Sequence, residues 1–273
     1  MATRDASLSP SLFRRLADIA RAQAGIHLRE GKEALLSARI AKRMRVLGLV
    51  NARSYLRYLE ADTSGVELLH FVDVVTTNYT SFFREPTHFD ALRAFVNAAA
   101  GAGQRRFTLW CAAAASGEEP FSMAMVMADA ALRLGIEFKI LATDISTCTL
   151  AKARAGVYSR QALGPLSPGE RRRFFRRRGV GDDGTFVVCP EIRDHVAFDR
   201  VNLAAPPLPM RGPFDAIFCR NVMIYLDRKV RTAVVAEVER LLRPGGLFAI
   251  GHAETLTGIP TTLKANGPSL YRK

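Results

Sequence analysis

The second half of the chain alternates short apolar runs with helical patterns, and this alternation constrains the fold more than any other feature. From Phe107 onward the apolar runs are RFTLWCA, FKILATDI, HVAFDRVNL, FDAIFC and GLFAIGHAE. Between several of them lie helical patterns, namely EEPFSMAMVMADAALRLG, STCTLAKARAG and RKVRTAVVAEVERLLRPGG. Strands that alternate with helices are typical of βαβ units on a mostly parallel sheet. The sequence therefore predicts an α/β fold for this part of the chain.

The first part of the chain has a purely helical pattern. Apolar residues recur at helical spacing in SLFRRLADIARAQAGI, EALLSARIAKRMRVLGL, SYLRYLEAD and ELLHFVDVVT, without strand-like alternation. We predict a basic helical domain over 1–77, a linker over 78–90 and an α/β domain over 91–273.

A segment at about 159–192 interrupts the βαβ pattern. It contains SPGERRRFFRRRGVGDDGTFVVCP, whose basic run and Gly/Asp turn do not fit a βα unit. We predict an inserted helix and small β-hairpin, turning at Gly181-Asp182-Asp183-Gly184. The arginines at 171–173 and 176–178 either bind an acidic partner or only solubilise this insert.

Composition limits the location and the partners. The chain of 273 residues has no apolar run near the roughly 20 residues of a membrane span, and MATRDASLSPS lacks a signal-peptide core. We therefore expect a cytoplasmic protein without membrane insertion. Its four cysteines form no C-x-x-C pair, so no metal site is predicted. The net charge of +13 indicates an anionic partner, either nucleic acid or an acidic protein.

Candidate ligand-binding residues follow the predicted strands. In an open α/β sheet, ligands bind at the carboxyl ends of the strands. Asp144 ends the second strand and could bind a ribose, although Asp144 or Ser146 could equally cap the next helix. The acids Glu118 and Glu119 could stabilise a helix N-terminus, or one of them could attract a ligand with an ammonium group. They would repel a pyrophosphate, which favours S-adenosylmethionine over a dinucleotide.

The linker NYTSFFREP is a second candidate, because domain junctions often bind ligands. Its polar residues Asn78, Thr80 and Arg84 flank an aromatic pair. The alternative is that Phe82 and Phe83 anchor the junction while Arg84 is solvated.

These motifs resemble those of the CheR-type chemotaxis receptor methyltransferases. The matching stretches, in the family's order, are NYTSFFREPTHF, WCAAAASGEEPFSMAM, LATDIS, ARAGVY, FDRVNL, FDAIFCRNVMIY, LLRPGGLFAIGHAE and SLYRK. The resemblance implies a class I S-adenosylmethionine-dependent methyltransferase fold, Rossmann-like, with an N-terminal helical domain and a small inserted β-subdomain. It implies methyl transfer to glutamate side chains in the cytoplasmic helical region of chemoreceptors, giving S-adenosylhomocysteine.

The resemblance also implies a set of site residues. Arg84 and Tyr225 would lie nearest the transferred methyl and are the expected catalytic residues. The expected cofactor-binding residues are Asn78, Thr80, Arg84, Glu119, Asp144, Asn202, Leu203, Arg220 and Asn221.

A basic helix in ALLSARIAKRMRVLGL is the candidate receptor-docking surface. Arg39, Lys42 and Arg43 lie close together there, while Leu36, Ile40, Met44 and Leu47 form an apolar stripe. Glutamate-rich receptor helices would be held by such a face, although a merely solvated face is the alternative. Some family members also bind a tethering peptide at the receptor C-terminus through the β-subdomain, and the sequence leaves this open. We expect a monomer.

Two other functions compete with receptor methylation. A nucleic-acid methyltransferase would account for the net charge and the pair Phe82-Phe83. Amino-methylating enzymes of that class usually carry (Asp/Asn)-Pro-Pro-(Tyr/Phe) after the fourth strand, where this chain has Arg220-Asn221-Val222-Met223. The other alternative is a non-catalytic sensor that binds S-adenosylmethionine. Because the chain lacks the loop of the amino-methylating enzymes, we expect no nucleic-acid partner.

Overall fold

The first helices form a small bundle with its own core. The computed structural model describes residues 8–179 and 184–273. The bundle consists of α1 (Pro10–Ala24), α2 (Glu33–Leu47), α3 (Ala52–Glu60) and α4 (Val66–Val75). Ser9 caps α1, and Asn51 forms a capping box with Ser54 at the start of α3. The buried apolar stripe of each helix supplies this core, including Phe13, Leu16, Ile40, Met44, Tyr55 and Phe71.

The rest of the chain builds an α/β unit. Its helices are α5 (Thr87–Gly101), α6 (Glu118–Leu134), α7 (Thr147–Ala155), α8 (Pro168–Phe174), α9 (Pro190–Arg193) and α10 (Arg228–Leu241). Its strands are β1 (Arg106–Cys111), β2 (Glu137–Asp144), β3 (Val157–Ser159), β4 (Phe175–Arg178), β5 (Thr185–Val188), β6 (Val196–Arg200), β7 (Phe214–Phe218), β8 (Leu242–Ala249), β9 (Lys264–Ala265) and β10 (Leu270–Arg272).

A seven-stranded sheet organises this unit, in the order β6-β2-β1-β7-β8-β10-β9. The first five strands in that order are parallel, while β10 runs antiparallel to β8 and to β9. Apolar side chains on both faces form two cores, which contain residues of α5 and α6 on one side and of α10 on the other. The predicted α/β fold with a mostly parallel sheet is confirmed, because the five predicted apolar runs all form strands of this sheet.

The insert differs from its prediction in one element. β5 lies between β3 and β4 and pairs antiparallel with both, so the insert is a three-stranded sheet rather than one hairpin. Its first strand begins at Val157, two residues before the predicted boundary. The predicted turn at Gly181-Asp182-Asp183-Gly184 lies outside the described residues, except for Gly184.

The predicted linker over 78–90 is only partly a linker. Residues 76–86 contain no helix or strand, but α5 already begins at Thr87. Phe82 is buried against Tyr158 of β3 and Phe175 of β4, with ring centroids 4.9 and 5.5 Å away. The aromatic pair therefore anchors the junction, as one of the two interpretations predicted.

The helical bundle contacts the carboxyl-end side of the sheet directly. Ile26 forms an isolated bridge with Leu226, and the next residue, His27, donates its backbone N–H to the Tyr225 carbonyl at 2.7 Å. Arg21 of α1 pairs with Asp227, the cap of α10, at 2.9 Å. These contacts enclose a space between the bundle and the sheet.

Within the described residues, no helix has the length and apolarity that crossing a bilayer requires.

Candidate active site

One cavity of about 620 Å³ lies between the bundle and the strand ends. This volume is typical of pockets that bind small molecules. Every residue predicted for the cofactor or for catalysis lines it: Asn78, Thr80, Arg84, Glu119, Asp144, Asn202, Leu203, Arg220, Asn221 and Tyr225. Side chains that are far apart in the sequence therefore share one site.

The loop after β1 forms the small-residue wall of this cavity. Ala112, Ala113 and Ala115 line it, so a ligand can approach the backbone closely. Gly117 has φ of 100°, and a Cβ there would lie 2.7 Å from the Tyr158 hydroxyl, so only glycine fits. Ala115 also adopts a left-handed φ of 45°, which the sequence did not indicate.

Asp144 lies at the end of β2 with its carboxylate in the cavity wall. It accepts backbone N–H groups from Ala115 at 2.8 Å and from Ser146 at 2.9 Å. The cap of α7 is Ser146, whose hydroxyl accepts from the Thr149 N–H, so Asp144 is not the cap. Burial raises the pKa of the Asp144 carboxyl despite these hydrogen bonds. Asp144 thus connects the loop after β1 to the end of β2, and it lines the cavity.

Glu119 is fixed by two buried partners. Its carboxylate accepts from Arg220 Nη1 at 2.7 Å and from Cys111 Sγ at 3.2 Å. Burial raises the pKa of the Glu119 carboxyl, while the charge of Arg220 opposes that rise. Glu118 instead accepts from the Ser116 hydroxyl at 2.7 Å and is not among the cavity-lining residues. The two acids therefore differ in position, as predicted.

Glu85, which the sequence analysis missed, does not line the cavity itself but holds two residues that do, Arg220 and Asn221. It accepts from Arg220 Nη2 at 3.0 Å, from Asn221 Nδ2 at 3.1 Å and from the His252 backbone N–H at 3.2 Å. Burial alone would raise the pKa of its carboxyl, but the bonds to Asn221 and Arg220 hold that pKa below its usual value. The signal available in the sequence was its place beside Arg84 in the linker motif.

Glu254 is a second missed carboxylate. It accepts backbone N–H groups from Gly251 at 2.6 Å, Asn221 at 2.9 Å and Ile224 at 3.1 Å. Asn221 has a left-handed φ of 57°, so this turn needs such support. Glu254 therefore fixes the loop that carries Asn221 and Tyr225.

The side chains of Glu85, His88 and His252 form a cluster whose ligand atoms lie within 4.8 Å of one another. His88 is fully buried, and its ring lies 4.8 Å from that of His252. The Glu85 carboxylate, however, already accepts from a guanidinium, an amide and a backbone N–H. These three donors leave about one lone pair of the carboxylate free, and the adjacent Arg220 guanidinium disfavours a second cation beside it.

Arg84 and Tyr225, the two expected catalytic residues, both line the cavity. Arg84 Nη1 donates to the Tyr79 carbonyl at 2.9 Å, and its guanidinium lies 5.5 Å from the centre of the Tyr79 ring. Arg84 is half-buried, so it is not the freely solvated side chain of the alternative interpretation. Tyr225 is half-buried on the loop after β7.

The remaining predicted ligands come from the linker and from the loop after β6. Asn78 Nδ2 donates to the Thr76 hydroxyl at 3.1 Å, and Thr80 follows on the same wall. Asn202 Nδ2 donates to the Gln23 carbonyl of α1 at 2.8 Å, so this residue connects the sheet to the bundle. Leu203 contributes apolar lining.

Two of the three residues predicted for receptor docking on α2 have partners within the bundle, and the docking role of this helix stays a prediction. Arg43 binds the buried Glu67 carboxylate through Nε at 3.0 Å, and Tyr55 donates to the same carboxylate at 2.9 Å. Arg39 donates to the Val75 carbonyl at 2.8 Å and lines the cavity. Both guanidinium groups therefore hold the bundle together, and of the three predicted docking residues only Lys42 is exposed.

Family models match nearly the whole chain. The CheR methyltransferase all-alpha domain matches residues 11–76, and the CheR methyltransferase SAM binding domain matches residues 78–269. The chain belongs to the CheR methyltransferase family. Its cavity draws residues from both matched regions, so the two parts build one site.

Relatives of this CheR-family chain are similar along most of their length. A chemotaxis protein methyltransferase of Salmonella typhimurium is 37% identical over 98% of this chain and 92% of its own. One from Escherichia coli is 37% identical over 97% and 91%. Chemotaxis protein methyltransferase 2 of Pseudomonas aeruginosa is 36% identical over 90% and 87%. The family resemblance inferred from the motifs is confirmed.

Proposed function

We propose that this chain is a protein-glutamate O-methyltransferase that transfers a methyl group from S-adenosylmethionine to glutamate side chains of chemoreceptors. The observation that carries the proposal is the convergence of the ten predicted residues on one cavity. The names of its relatives, chemotaxis protein methyltransferases, support the substrate class.

The lining of the cavity suits S-adenosylmethionine, whose sulfonium supplies an activated methyl group when bound. Asp144 and Glu119 offer buried carboxylates to a ribose and to an ammonium group, respectively, and would repel a phosphate. The alanine wall lets the adenosine approach the backbone. Asn78, Thr80, Arg84, Asn202, Leu203, Arg220 and Asn221 would complete the binding set.

The acceptor needs no general base from this chain. A glutamate carboxyl has an ordinary pKa near 4.3, so it is already an ionised nucleophile at neutral pH. The chain must instead align the carboxylate with the methyl and exclude water. The Arg84 guanidinium can orient the carboxylate, and Tyr225 can pack or hydrogen-bond beside it.

A transfer assay tests this function against its rivals. Labelled S-adenosylmethionine is offered with a receptor cytoplasmic fragment, with RNA or with DNA. We expect label on the receptor fragment alone, released by mild alkali as expected for a methyl ester. Label on a nucleic acid would support the rival methyltransferase, and binding of S-adenosylmethionine without transfer to any acceptor would support the sensor.

The same proposal includes that the protein acts in the cytoplasm and as a monomer. Cell fractionation would test its location, and analytical sedimentation would test its oligomeric state.

A further inference from the structure

The segment Phe83-Arg84-Glu85 is a strained turn at the edge of the cavity. Phe83 and Glu85 have left-handed φ angles of 50° and 57°, although neither is glycine. Such backbone persists only where the surroundings hold it in place. The residue between them is Arg84, whose proposed role depends on where this turn places its side chain.

Besides the bond from the His252 backbone N–H to Glu85, four contacts join the turn to α6 and to the residues that follow β7. The Phe83 N–H donates to the Ser122 hydroxyl of α6 at 3.0 Å. Arg220 Nη2 donates to the Arg84 carbonyl, and the same nitrogen lies 3.0 Å from the Glu85 carboxylate. Asn221 Nδ2 also donates to Glu85, at 3.1 Å. The turn is therefore fixed to the residues that follow β7 chiefly through Glu85.

The buried guanidinium of Arg220 lies between two carboxylates, Glu85 at 3.0 Å and Glu119 at 2.7 Å. Its side chain is fully buried, so solvent cannot replace either partner. A change that removed the charge of Glu85 would leave Arg220 with Glu119 alone and would loosen its hold on the turn. The pair with Glu119, which faces the cofactor, would remain.

We propose that Glu85 is a positioning residue for methyl transfer, which acts by holding the turn that aims Arg84 into the cavity. This inference rests on the proposed function of Arg84. It assigns to Glu85 an effect on rate rather than on cofactor affinity, because a small misplacement of an orienting group lowers turnover strongly.

The test is the variant Glu85→Gln, assayed with a receptor fragment and S-adenosylmethionine. We expect kcat to fall by about 10- to 100-fold, while the cofactor Kd measured by calorimetry changes by less than about threefold, since the pair of Arg220 with Glu119 remains. Glu239→Gln is the matched control, because Glu239 also accepts several hydrogen bonds, from Thr261 and Thr262, but these partners belong neither to the turn nor to the cavity lining. Its kcat should equal that of the wild type.

A double-mutant cycle with Arg84→Ala separates positioning from a general structural role. In the Arg84→Ala background, Glu85→Gln should lower kcat by less than about threefold, because the group that it positions is gone. An equal loss in both backgrounds, or a wild-type kcat for Glu85→Gln, would overturn the inference. Wild-type turnover in Arg84→Ala alone would instead refute the assigned role of Arg84.

Ser122→Ala keeps the inference testable if Glu85→Gln does not fold. This change removes the other anchor of the turn, the bond from Phe83 N–H, and leaves the Arg220 charges intact. We expect a lower kcat with an unchanged cofactor Kd. An unchanged kcat would show that the turn does not need to be held.

Discussion

At the scale of single residues, Arg43 shows that the sequence alone does not predict whether a charged side chain faces solvent or the interior. On the sequence, it belongs to a basic helix face, yet its side chain is 17% exposed and pairs with Glu67, which is 3% exposed. Only the fold brings Glu67 of α4 and Tyr55 of α3 to the same place. The sequence could predict that α2 is basic, but not which of its charges face inward, because this depends on helix packing.

We predict that Arg43→Ala destabilises the protein by about 3 kcal/mol, because it leaves the buried Glu67 carboxylate without its cation. Lys42→Ala, one position earlier and exposed, is the control and should change stability by less than about 0.5 kcal/mol. Urea unfolding followed by circular dichroism measures both. Equal effects of the two variants would contradict the structural role of Arg43.

His88 provides a residue-scale prediction on pH. Burial, and then the charge of Arg220, lower the pKa of its imidazole to about 4 from the usual 6.5. The unfolded chain binds this proton at a higher pH than the folded chain. The contribution of neutral His88 to the free energy of unfolding is therefore fully present above about pH 6.5 and is lost as the pH falls toward 4.

The expected loss between pH 7 and pH 4 is about 3 kcal/mol from this group. The wild type should therefore lose more unfolding free energy over this range than His88→Gln, which has no proton to gain. Urea unfolding at several pH values gives the comparison. Parallel curves for the two proteins would show that His88 does not contribute.

At the scale of elements, hydrophobic periodicity predicted the helices of the bundle, and short apolar runs between helical patterns predicted the five parallel strands. These patterns missed β9 and β10, which have two and three residues and carry no period. Local sequence patterns indicate only one hairpin in the insert. They do not reveal β3 as a third strand, because β3 precedes its partner β5 by 25 or more residues. Glu85 and Glu254 were missed because their partners are backbone and side-chain groups that only the tertiary fold assembles.

The helix α2 gives the prediction at this scale. Arg39 and Arg43 have partners within the bundle, so of the three predicted docking residues Lys42 is the one whose charge is exposed to an acidic receptor segment. Lys42→Glu should raise the KM for a receptor fragment by about threefold to tenfold, and less so at high salt. The cofactor Kd should not change, since Lys42 does not line the cavity.

Arg133→Glu is the matched control for that change. Arg133 is an exposed charge in the last turn of α6, outside the bundle, and the two variants alter the net charge equally. A rise in KM for both variants would indicate a general effect of net charge rather than docking on α2. An unchanged KM for Lys42→Glu would contradict a receptor contact there.

At the scale of the whole molecule, the site exists only because the bundle and the sheet are assembled together. Asn202 donates to the Gln23 carbonyl of α1. Ile26, in the segment between α1 and α2, forms a bridge with Leu226, the residue after Tyr225. Linker residues 78–84 then close the cavity from a third side. The strand ends and the domain junction gave the candidate residues from the sequence, while the family motifs were needed to favour ligand binding over the capping and anchoring alternatives.

The most direct test of the account is to locate the methyl group on a receptor fragment by peptide mass spectrometry. With wild-type protein and S-adenosylmethionine, we predict alkali-labile methyl esters on glutamate side chains. Arg84→Ala, folded as judged by circular dichroism, should form them at a much lower but measurable rate. Methylation of lysine, arginine or nucleic acid, or glutamate methylation by Arg84→Ala at the wild-type rate, would contradict it.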